Sequence, residues 1–183
     1  MAPPFIAYYG AATNDEPLLR KAAEQCVLYR QILQANTTAP YKGVWEHIIG
    51  ANSQDRGLWS TGNAWAAAGA TRVLATIMKA PIAYSCSWRS EVIEKLTEVI
   101  KEIIDGAMNS PPDDGLLRNY LNDTVTAHGY GEISGSSLLA SVVYRMAVLQ
   151  PDCFTWKYIE WADGIRTTFD KVMTSSESIP CAN

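Results

Sequence analysis

Paired ligands are what this sequence lacks. Its 183 residues include 4 cysteines and 2 histidines. Cys26, Cys86, Cys153 and Cys181 are scattered, with no Cys-x-x-Cys and no histidine pair at ligand spacing. This argues against a structural zinc site, and no metal or cofactor is implied. Isolated thiols are the plainer reading; one disulfide stays open, and the redox compartment with it. No apolar run approaches the roughly 18 residues that cross a bilayer, which sets a membrane span aside. Lys and Arg number 15 against 19 Asp and Glu, a net charge of −4, and no basic cluster occurs. Nucleic acid is therefore not an expected partner. Neither a Gly-x-Ser-x-Gly elbow nor a phosphate-cradling glycine loop is present, and no carboxylate pair announces acid/base hydrolysis. The apolar N-terminus lacks a basic n-region and has Pro3 and Pro4 early. It is expected to open a structural element rather than to be a signal peptide, and localisation stays open.

What is present is a globular composition, 48% hydrophobic and 19% charged, at a length that suits one domain. Three stretches, 2–13, 63–79 and 135–150, are rich in Ala, Gly and Ser and almost free of charge. Each is followed by a segment with charge on one face: 18–34, 90–108 and 155–174. A helix apolar nearly all round must be covered on both sides, whereas a one-sided helix faces water. The alternation therefore predicts an all-α protein of about three helical hairpins in two concentric layers, part of a ring. The domain is expected over 1–174, with a loose Ser-rich tail at 175–183.

Punctuation supports these boundaries. Pro3 and Pro4 suit a first helical turn, Pro17 suits the start of the second helix, and Ser90 is the expected N-cap of the fourth. Two long connections, 36–58 and 113–134, each enter an inner helix and so should lie at one end of the ring. Connections of this length are usually functional. Weak alternation over Tyr41–Ile49 allows a short strand there.

Trp45, His47, Trp59, Asn63 and Trp65 gather at the first connection and the helix it enters. Aromatic faces stack on the apolar faces of sugar rings, and polar groups between them can bind hydroxyls. Core filling is the plainer role for Trp45 and Trp59. Trp65, in the first turn of a helix built from Ala and Gly, is harder to assign to packing, and core filling and ligand contact suit it equally. His47 taken alone reads as a satisfied loop histidine, and His128 as a loop residue. Glu132 lies just before the fifth helix, so either N-terminal capping or ligand contact suits it. Asp113, Asp114, Asn119, Tyr120 and Asp123 give the second connection a polar rim.

These residues also carry a resemblance. Trp59-Ser-Thr-Gly-Asn-Ala-Trp65-Ala-Ala-Ala-Gly69 resembles a segment of the unsaturated uronyl and rhamnogalacturonyl hydrolases, six-hairpin glycosidases of glycoside hydrolase families 88 and 105. Gly131-Glu-Ile-Ser-Gly-Ser-Ser-Leu-Leu-Ala140 is similar to the segment opening a later inner helix. Val44-Trp-Glu-His47 resembles the active-site histidine segment, Asp114-Gly-Leu-Leu-Arg-Asn-Tyr120 a loop before that helix, and Met1–Gly10 a helix start. Thr61 gives the segment the form of the fungal branch.

The resemblance implies an incomplete (α/α)6 toroid and an oligosaccharide partner. By it, Trp65 stacks on the sugar and His47 contacts it, with Trp45, Asn63, Thr61 and Glu132 as further substrate-binding candidates. Thr61 stands where many relatives carry an Arg that recognises an acidic substrate. The family reaction uses an Asp to protonate the substrate double bond and activate water. That Asp precedes the segment matching Met1–Gly10, so the 183 residues are expected to lack it, to be a truncated portion, and to release no unsaturated sugar. The catalytic residue is therefore unknown. A non-catalytic carbohydrate-binding remnant is the second reading. A helical scaffold is the third, against which the unequal loops argue. An open part-ring would leave apolar flanks, and self-association is expected.

Overall fold

The computed structural model describes residues 2–35 and 41–176. Six α-helices follow in order: α1 (Ala2–Thr13), α2 (Glu16–Leu33), α3 (Ser60–Lys79), α4 (Arg89–Met108), α5 (Ile133–Leu149) and α6 (Trp156–Ser176). They form three antiparallel hairpins, α1 with α2, α3 with α4 and α5 with α6. The charge-poor helices α1, α3 and α5 lie side by side as an inner layer, backed by α2, α4 and α6. The protein is thus a partial helical-hairpin toroid. No strand occurs among the described residues.

α3 is the hub because it touches α1, α2, α4 and α5. Its Ala64, Ala67 and Ala70 are buried, and their small side chains let the neighbouring helices approach on several sides. Below them Val73, Leu74 and Ile77 complete the core against Leu96, Ile100 and Ile103 of α4. Each such fully buried aliphatic side chain contributes about 1.5–3 kcal/mol. The outer helices are cross-tied. Arg30 of α2 makes two 2.6 Å bonds to Glu102 of α4, and the Tyr158 hydroxyl of α6 donates to Asp105 of α4 at 2.7 Å.

The boundaries depart from the sequence reading in specific ways. Asp15 caps α2, accepting from the Leu18 N–H at 2.9 Å, so that helix starts two residues early. Ser90 is not the N-cap of α4. The helix begins at Arg89 and the cap position is Trp88, with no side-chain cap bond. The α4 entry is fixed instead by the preceding 3-10 turn, Pro81–Ala83, and by Arg89 donating to the Met78 carbonyl at 3.1 Å. α3 starts at Ser60, three residues before the expected charge-poor stretch. α6 runs to Ser176, two residues past the expected domain end. Cys26, Cys86 and Cys153 are free thiols. Cys181 and residues 177–183 lie outside the described residues. No helix is long and apolar enough to cross a membrane.

The inner layer is open on one side. Phe5 and Tyr9 of α1 stack on each other at 6.3 Å between centroids yet stay exposed, as do Tyr8 and, on α5, Val148.

Candidate functional site

Both long connections converge at the N-terminal ends of α3 and α5. The Ser60 N–H donates to the Asn119 carbonyl at 2.9 Å, and the Leu121 N–H donates to the Leu58 carbonyl at 2.9 Å. The shared end inferred from chain order is therefore a hydrogen-bonded platform.

The first connection is pinned at its start by close backbone approach. Gly43 has φ +102°, and a Cβ there would lie 2.3 Å from the Glu102 carbonyl oxygen. On the facing helix, a Cβ on Gly106 would lie 2.7 Å from Val44 Cγ1. Glycine at both positions lets the loop lie against α4. Beyond this clamp the expected strand over Tyr41–Ile49 does not form. Only isolated bridges appear, between Gln34 and Trp45 and between Ile48 and Asp55. The chain reverses too soon, through Ser53 at φ 54°, to build a ladder.

That reversal creates the site. It brings Asp55 beside His47, eight residues earlier, with Asp55 Oδ2 2.8 Å from His47 Nδ1. The Tyr120 hydroxyl from the second connection donates to the same oxygen at 2.7 Å, and the Gly57 N–H donates to Oδ1 at 2.8 Å. Gly57 is needed here because a Cβ would fall 2.4 Å from the Tyr120 ring. Bonding to His47 first, then Tyr120, holds the Asp55 carboxyl below the usual range, and Asp55 in turn pushes the Tyr120 phenol up.

Next to this cluster the rings form a run. The His47 ring lies 4.5 Å from Trp59, and Trp59 meets Trp65 edge to face at 5.4 Å. The Trp59 indole donates to Asn119 Oδ1 at 3.0 Å, which fixes its plane. Trp65 is 53% exposed although it sits on the inner helix with most buried residues. Trp45 lies behind it. Trp45 and Trp65 share a small hollow with Pro3, Pro4 and Tyr29.

The other candidates are placed differently. Asn63 is buried, and its amide is fully engaged. Oδ1 accepts from the Trp45 N–H at 2.7 Å, while Nδ2 donates to the Trp45 and Trp59 carbonyls, each at 3.0 Å. It holds the aromatic loop on α3 rather than offering its amide to a ligand. Thr61 is also buried, 2.6 Å from the Ser134 hydroxyl. Glu132 caps α5, accepting from the Ser134 and Gly135 N–H groups, each at 2.7 Å. Its Oε1 also accepts from the Ser60 hydroxyl at 2.5 Å and the Thr61 hydroxyl at 3.2 Å, which ties the starts of α3 and α5 together. The capping role weighed for Glu132 is the one its bonds display. His128 is exposed on its loop.

The structure thus brings His47, Trp59 and Trp65 together, with Trp45 adjoining and Asn63, Thr61 and Glu132 beneath. Sequence reasoning missed Asp55 altogether and treated Tyr120 only as rim. Neither shares a helix or a strand with His47, so only the Ser53 reversal and the meeting of the two connections reveal them. Among the described residues no group of three His, Cys, Asp or Glu side chains could hold a metal ion.

Three helical hairpins of a toroid, with an aromatic platform where the long loops meet, are what the fold and the site define. The comparisons give it a family. The family model described as Glycosyl Hydrolase Family 88 matches residues 1–163, and the chain belongs to that family. No curated protein sequence matches significantly. Among solved structures, a possible member of the GH105 family from Salmonella enterica is similar at 20% identity and TM-score 0.70, covering 91% of this chain and 40% of its own. A family 105 glycoside hydrolase from C. acetobutylicum gives 15% identity and TM-score 0.71, over 91% of this chain and 45% of its own. A family 88 glycosyl hydrolase from Bacteroides vulgatus gives 15% identity and TM-score 0.67, over 90% and 45%. The chain therefore spans less than half the length of these structures. The expected fungal branch finds no support among these structures.

Proposed function

We propose that the platform of His47, Trp59 and Trp65 binds an oligosaccharide derived from an acidic polysaccharide, with Trp65 as the stacking residue. The observation that carries this is the half-exposed Trp65 beside the His47–Trp59 pair at the meeting point of both loops. Unlike the other exposed aromatic rings, Trp65 adjoins the Trp59–His47 pair, and its exposed surface suits the apolar face of a sugar. Membership of family 88 supports a hydrolase-like role in carbohydrate processing.

The carboxylates at the platform do not suit protonation of a substrate. A general acid needs its proton near neutral pH, which requires a raised pKa. Asp55 is held low by its three donors, and Glu132 is engaged with two backbone N–H groups and two hydroxyls. These observations favour sugar binding over proton donation, and the 183-residue chain alone is proposed to bind without turnover. Calorimetric titration with an unsaturated galacturonate-containing disaccharide tests this. We expect saturable binding in the wild type, at least tenfold weaker in Trp65→Ala, with no rise or loss of the unsaturated-sugar absorbance over hours. Equal affinity in Trp65→Ala would remove the platform as the site, and enzymatic loss of that absorbance would remove the non-catalytic reading.

Self-association belongs to the same reading, since Phe5 and Tyr9, stacked on each other, and Ile32 stay exposed. A single monomeric species in sedimentation velocity across a wide concentration range would count against it.

A further inference from the structure

We propose that Asp55 is a positioning residue that holds the His47 ring with its proton on Nδ1, so that Nε2 is offered to ligand as a bare hydrogen-bond acceptor. An ionised carboxylate has acceptors only, so the 2.8 Å bond between His47 Nδ1 and Asp55 Oδ2 has its proton on the histidine. A neutral imidazole has one N–H; once Nδ1 holds it, Nε2 carries a lone pair. Among the described residues nothing hydrogen-bonds Nε2, and the side chain is 29% exposed.

The carboxylate is itself fixed. The Gly57 N–H holds Oδ1, while the Tyr120 hydroxyl shares Oδ2 with the histidine. Its plane is therefore set from two loops before His47 joins it, and the Trp59 ring at 4.5 Å restricts imidazole rotation from the other side. Such partners orient a ring without touching what the ring binds. An Nε2 acceptor selects a donor, and the donors on a sugar are its hydroxyls. The position opposite His47 therefore takes a sugar hydroxyl rather than a carboxylate. Thr61, buried on Glu132 and Ser134, supplies no cation to alter that preference. The ligand consequence rests on the oligosaccharide reading above; the placement of the proton does not.

Long-range proton–nitrogen NMR of protein labelled at the imidazole nitrogens tests both parts separately. His128→Gln identifies the signals of His47. In wild type, at a pH where the ring is neutral, we expect the pattern of a protonated Nδ1 and a bare Nε2. Asp55→Ala should move it toward the Nε2–H form and weaken trigalacturonate binding about two- to tenfold, the range of one hydrogen bond. A wild-type Nε2–H pattern, or an unchanged pattern in a folded Asp55→Ala, would overturn the assignment. If Asp55→Ala does not fold, the wild-type spectrum still decides. Trigalacturonate should shift the Nε2 resonance of His47. An Nδ1–H pattern that trigalacturonate leaves unmoved would uphold the role of Asp55 and count against the ligand reading.

Discussion

Asn63→Ala is the most informative single change, because one buried amide holds the aromatic loop on α3. Three bonds depend on it: the Trp45 N–H at 2.7 Å and the Trp45 and Trp59 carbonyls at 3.0 Å each. Orphaning the buried Trp45 N–H costs about 1–3 kcal/mol, and each lost bond from Nδ2 about 0.5–1.5 kcal/mol. Water entering the polar void would recover part of this. We expect a net loss of about 2–4 kcal/mol by urea denaturation. At about 3 kcal/mol, a chain of this size should melt about 6–12 °C lower. Asn63→Asp sharpens the test. Its carboxylate still accepts from the Trp45 N–H but faces two carbonyl oxygens, so the folded state favours the protonated form. A carboxyl whose folded pKa is raised contributes less stability as pH rises, so the Asp variant should gain stability as pH falls from 7 toward 5. Asn63→Ala within about 0.5 kcal/mol of wild type, or an Asp variant that weakens over that pH range relative to wild type, would refute the assigned anchoring role.

Other outcomes follow from neighbouring contacts. The Asp55 carboxyl is held low, chiefly by His47. Its contribution is complete above the ordinary carboxylate pKa of about 3.9 and is lost as pH falls through its lower folded value. Acid titration of unfolding free energy should show that loss in wild type and less of it in Asp55→Asn; parallel curves would be the contrary result. Gly106→Ala would place a Cβ 2.7 Å from Val44 Cγ1 and 2.9 Å from the Lys42 carbonyl. Overpacking of this kind costs about 1–3 kcal/mol, measurable in urea, and wild-type stability would show that the loop is not clamped there. Burial pushes the Cys26 thiol up to about 12, while Cys153 is exposed. An aromatic disulfide reagent at pH 8 should therefore label Cys153 rapidly and leave Cys26 unlabelled until denaturant is added; fast labelling of Cys26 in the native protein would contradict the packing.

The sequence by itself determined the number, order and layering of the helices. That information is local: a stretch such as 63–79 with almost no charge has to be covered, and one such as 90–108 with a charged face has to meet water. It also located the aromatic cluster, since Trp59 and Trp65 share a loop and the helix it enters. Tertiary structure alone decided what each polar residue does. Asn63, Thr61 and Glu132 looked like ligand contacts, yet each is occupied by a group distant in sequence, from Trp45 to Ser60 and Ser134. Asp55 and Tyr120 carried no periodic signal, yet one reversal and one loop crossing bring them to His47. Hydrophobic layering follows from residue type averaged along a segment, whereas a hydrogen bond depends on a few tenths of an ångström between atoms that only the closed fold brings together.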